Sequence, residues 1–90
     1  MYQIFRTAGF KKDYKKLSNI DKELLREVVT TLANGDRLDF RYKDHKLIGN
    51  FVNCRECHIK SDLLLIYRIE SNVLELALVR VGSHSKLFKK

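Results

Sequence analysis

The sequence has no proline and no tryptophan, only four glycines, and a single methionine, at position 1. With so few backbone breakers, its 90 residues hold no linker-like or low-complexity stretch, and no internal repeat is visible. One domain over residues 1–90 is the expectation. Long hydrophobic runs are missing as well. The longest, Leu63 to Tyr67, is far shorter than the ~20 residues a bilayer-spanning helix needs. The opening stretch, MYQIFRTAGFKKDYKKL, lacks the apolar centre of a secretory leader. These absences predict a cytoplasmic protein without a membrane partner, its two cysteines reduced.

Acidic residues are also in short supply. Eleven Asp and Glu face eighteen Lys and Arg, giving a net charge of +7. The excess is spread along the chain and does not form a basic tail. It predicts a polyanionic or acidic partner: RNA, DNA, a ribosome or an acidic protein.

What is present is strong local patterning. YQIFRT alternates apolar and polar residues and predicts a strand at about 2–7. Phe10, Tyr14 and Leu17 fall on one helical stripe, with lysines on the other sides. Leu24, Leu25, Val28, Val29 and Leu32 form the apolar face of a second helix, capped by Ser18 or Asp21 and ended at Gly35. Residues 36–46 show no period and read as a loop, and LIGNFV as a short extended piece. RECHIK, LLLIYRI and VLELALVRV, separated by KSD and ESN, predict three antiparallel strands. The middle one is apolar until Arg68, as expected of a strand covered on both faces. The fold class expected is α+β: an N-terminal strand and a two-helix hairpin packed on an antiparallel four-stranded sheet.

The stretch CRECH at 54–58 spells C-x-x-C-H, which invites haem, zinc or thiol redox chemistry. Haem attachment needs export and usually an axial methionine, and the only Met is Met1. A structural zinc needs four ligands, and the histidines lack a suitable spacing. On a strand, Cys54 and Cys57 point to opposite faces, which separates a metal or redox pair. No metal and no cofactor are therefore expected, and both cysteines read as small buried hydrophobes. The same alternation puts Glu56, His58 and Lys60 on one face.

Three histidines, His45, His58 and His84, are predicted to lie outside the helices. Cleaving RNA without a metal takes a base for the 2′-OH proton, an acid for the departing 5′-oxygen and cations for the phosphorane. Histidine serves either of the first two roles near neutrality. Arginine suits the third, because its fork bonds two phosphate oxygens. Arg80 and Arg55 lie in or beside the predicted strands.

KDHKLIGNF at 43–51, CRECHIKSDLLLIY at 54–67 and RVGSHSKLF at 80–88 together resemble the three signature blocks of YafQ-type toxins in the RelE/ParE superfamily. The resemblance spans nearly the whole chain. It implies a type II toxin: an endoribonuclease that cuts translated mRNA in the ribosomal A site, without metal, and that an antitoxin silences. It places the functional positions on His45, His58, Asp62, His84 and Phe88. His84 is then the acid, and His45 or His58 the base. Asp62 orients a histidine or helps the base, and Phe88 stacks on a base. Arg80, and more weakly Arg55, meet phosphate, with Glu56 and Lys60 as further candidates on the His58 face. Leu63 and Ser61 depart from the Trp and Pro of some relatives, which bears on codon preference. Three alternatives remain at this point: a ribonuclease independent of ribosomes, a non-catalytic toxin of this fold that binds a protein such as gyrase, and a basic nucleic-acid-binding module.

Overall fold

Side-chain caps set where the helices begin. The Thr7 hydroxyl accepts the Phe10 N–H at 3.0 Å and the Ser18 hydroxyl accepts the Asp21 N–H at 3.1 Å. Each such cap contributes about 1 kcal/mol. In the computed structural model, which describes residues 1–88, strand β1 (Gln3–Arg6) leads into helices α1 (Ala8–Lys15) and α2 (Asn19–Ala33). Gly35, with φ +82°, ends the second helix in the left-handed conformation that glycine adopts at no steric cost. There follow β2 (His45–Lys46), β3 (Arg55–Lys60), β4 (Leu63–Glu70), β5 (Glu75–Gly82) and a one-turn helix α3 (His84–Leu87).

The α+β class is as expected, and β3, β4 and β5 form the predicted meander. The sheet has five strands rather than four, in the order β1-β5-β4-β3-β2. The extra strand is β2, which lies inside the stretch read as loop and adds an edge to β3. The sheet is also not wholly antiparallel: β1 pairs β5 in parallel, with Ile4 opposite Leu76. LIGNFV is not extended. It bends through Gly49, at positive φ like Asn53 just after it, and Leu47 N–H closes the loop onto Cys54 O at 3.0 Å.

β4 is central and buried on both faces. On one side Leu65 and Tyr67 pack with Cys57, Leu76 and Leu78 against Phe10, Leu25, Val28 and Leu32 of the helices. On the other, Leu64 and Ile66 pack with Cys54, Phe51, Leu87 and Phe88. The sequence named the helices as one cover. The second cover is the 47–54 loop together with α3. Burying Leu64 and Ile66 there stabilises the fold by roughly 1.5–3 kcal/mol each, which fixes the loop and α3 against the sheet.

The two cysteines do face opposite layers, and both are buried and free. Burial pushes the Cys57 thiol up to about 12, helped by the charges of Asp44 and Glu56. Burial and its bond to Asp44 push the Tyr67 phenol the same way. Groups raised in the folded state stabilise it fully below their unfolded values. That contribution is lost as pH rises past 9.0. We expect urea unfolding midpoints to fall above pH 9 and the native thiols to resist a disulfide reagent at pH 8 until urea exposes them.

Candidate active site

A β-bulge decides which residues reach the face of the sheet turned away from α2, which the 47–54 loop and α3 partly cover. Strict alternation from Leu76 and Leu78 would put Arg80 under the helices. The register shifts after Val79, so Arg80 lies opposite Ile66 instead. Ile66 lies opposite Glu56, and Glu56 opposite His45. One row across the face therefore reads His45, Glu56, Ile66, Arg80. The next reads His58, Leu64, Gly82, and His84 follows two residues later. Two strand spacings separate His58 from Gly82, roughly 10 Å of backbone. Between them Leu64 is buried beneath Phe51, Leu87 and Phe88.

The Glu56 carboxylate lies beneath the histidines and is not solvated as its alternation alone suggests: the residue is only 5% exposed. Its Oε1 is 3.2 Å from His45 Nε2 and 3.9 Å from His58 Nε2. His45 Nδ1 donates to Lys43 O at 2.8 Å. Each ring nitrogen of His45 thus faces an oxygen, which fixes the plane of the ring. His58 has one such neighbour, at the longer distance, and is less exposed than His45.

Beyond Gly82, His84 opens α3. The expectation that all three histidines lie outside helices fails for this one. The Asp62 carboxylate accepts the His84 backbone N–H at 3.1 Å, so Asp62 holds the start of the helix and not the ring. The His84 ring is 5.0 Å from that of Phe88, and Phe51 meets Phe88 edge-on at 5.8 Å. Lys86, Phe51, Phe88 and Arg80 line a groove of about 720 Å³ beside this pair.

Two sequence candidates are not part of this assembly. Arg55 projects from the opposite face of β3, where it forks onto Asp44 at 3.0–3.2 Å beside the Tyr67 hydroxyl. Its predicted place on phosphate is replaced by a cross-link between β3 and the residue before β2. Lys60 does not share the face of Glu56 and His58 either. A second bulge between His58 and Lys60 turns it to α2, with Nζ 2.7 Å from Asp21 Oδ1.

A family model described as the bacterial toxin of type II toxin–antitoxin systems, YafQ, matches residues 2–89. The chain belongs to the YafQ family. The mRNA interferase toxin YafQ of Escherichia coli K12 is 33% identical over 85 residues, covering 91% of this chain and 90% of that protein. A metal-bound toxin from Helicobacter pylori has a TM-score of 0.86 at 43% identity, covering 98% of this chain and 100% of that one. YafQ in the E. coli DinJ–YafQ toxin–antitoxin complex has a TM-score of 0.84 at 31% identity over 97% of both chains. In this YafQ-family chain, no three His, Cys, Asp or Glu side chains among the described residues converge closely enough to hold a metal ion. No helix among the described residues is long and apolar enough to cross a membrane.

Sequence reasoning missed three residues around this site in the YafQ-family chain: Asp13, Phe51 and Lys86. Asp13 left a signal. It falls three residues after Phe10, inside the apolar stripe of α1, where a charge stays only if it is partnered. Phe51 closed a quoted block but carried no polar group to draw attention.

Proposed function

We propose that this YafQ-family chain is a toxin that cuts translated mRNA in the ribosomal A site, by its own side chains. The observation that carries the proposal is one face of the sheet with His45, Glu56 and His58 on one side, His84 beyond β5 on the other, and Arg80 in register with the first group. His58 takes the proton of a 2′-hydroxyl. The 2′-oxygen attacks phosphorus, and the P–O5′ bond breaks as His84 gives its proton to the departing 5′-oxygen. The products are a 2′,3′-cyclic phosphate and a 5′-hydroxyl end. Arg80 supplies positive charge for the phosphorane, and His45, held between Lys43 O and Glu56, lies beside the base. Phe88, braced by Phe51, offers a surface for an unstacked base. The mRNA substrate is supported by the name of the E. coli relative. An acidic antitoxin partner is supported by the DinJ–YafQ complex and by the net charge of +7. Expression in a bacterial host tests this: growth should stop with cleaved messages, and an acidic partner expressed alongside should restore it. Arrest with intact messages would favour a protein target instead. Naked RNA cut as fast as ribosome-bound RNA would remove the ribosome from the account.

A further inference from the structure

Asp13 is a carboxylate from outside the signature blocks, only 4% exposed, and two of its three partners, Arg80 and Lys86, line the groove. Its Oδ2 accepts from Arg80 Nε at 2.6 Å and from the Val81 N–H at 3.1 Å. Its Oδ1 accepts from Arg80 Nη2 at 3.1 Å and lies 3.9 Å from Lys86 Nζ. Burial pushes this carboxyl up, but Arg80, Val81 and Lys86 outweigh it and hold it below its ordinary 3.8. One turn earlier on α1, Gly9 leaves the space that the Arg80 stem fills. A Cβ there would stand 2.9 Å from Arg80 Cδ.

We propose that Gly9 and Asp13 form a cradle on α1 that aims the Arg80 guanidinium into the groove, making Asp13 a positioning residue for cleavage. The fork onto Asp13 uses Nε–H and one N–H of Nη2. The other three of the five N–H donors of arginine are left for phosphate. Without the cradle, the exposed end of a long side chain samples many rotamers, and the charge is no longer fixed where the phosphorane forms. The inference rests on the proposed cleavage site, so its test must separate the two.

Single-turnover cleavage of ribosome-bound message is measured for wild type, Asp13→Asn, Arg80→Ala, the double variant and His84→Ala. Asp13→Asn should lower the rate roughly 10–100-fold, as loss of orientation does. In the Arg80→Ala background the same change should cost under about twofold, because Asp13 acts through Arg80. An equal cost in both backgrounds, or a wild-type rate for Asp13→Asn, would overturn the cradle. Gly9→Ala carries the test where Asp13→Asn does not fold. It crowds Arg80 without touching charge and favours the helix, so a rate loss that Arg80→Ala abolishes supports the cradle, and an unchanged rate overturns it. If His84→Ala cuts like wild type, the site reading fails. If His84→Ala is inactive while both cradle variants cut at full rate, the cradle alone fails.

Discussion

His84→Ala is expected to cut ribosome-bound message roughly 10²–10⁴ times more slowly than wild type, the range a positioned general acid contributes. The residue is exposed, and its structural bond to Asp62 runs through the backbone, which alanine keeps. Folding stability should therefore move by no more than about 0.5 kcal/mol. Single-turnover rates measured beside a urea titration check both halves. A rate within a few-fold of wild type would take the acid role from His84. A collapse of stability would mean that the contact with Phe88 holds α3 in place.

Glu56→Gln has the second largest expected effect, and it should separate activity from stability. The carboxylate is buried under two imidazoles, and its second oxygen, Oε2, has no hydrogen-bond partner. Fixing an ionised group there costs the fold, and a neutral amide of the same shape relieves part of that cost. The same change removes the charge that holds His45 and faces His58. The cleavage rate should fall roughly 10²-fold through misorientation, while the urea midpoint stays level or rises. A functional site that stores unfavourable burial behaves this way. A fall in both quantities would make Glu56 a structural residue. An unchanged rate would free the histidines from it.

The elements of this fold were legible where local chemistry and periodicity agree. The apolar face of α2, its Ser18 cap and Gly35 stop, and the run from Leu63 to Ile69 each carry a short-range signal. Two-residue β2 carries none. It exists because His45 and Lys46 pair with β3, a contact that pattern within 36–46 cannot reveal. Residues were misplaced for the same reason. Alternation assigned Lys60 to the His58 face, and the bulge next to it reversed that assignment. Arg80 reached the face turned away from α2 only because another bulge lies at Val79. His45, His58, His84, Asp62 and Phe88 were singled out through the resemblance; the fold sets His45 beside His58, and Asp62 on the His84 backbone beside Phe88. Asp13 was not, since its partners lie more than sixty residues away in the chain.

The most direct test maps the new ends on a translated message incubated with purified protein, with and without ribosomes and with a chelator present throughout. The account predicts cuts only on ribosome-bound message, each leaving a 2′,3′-cyclic phosphate and a 5′-hydroxyl, unaffected by the chelator and absent with His84→Ala. Ends bearing a 3′-hydroxyl and 5′-phosphate, or cuts that vanish with the chelator, would contradict it.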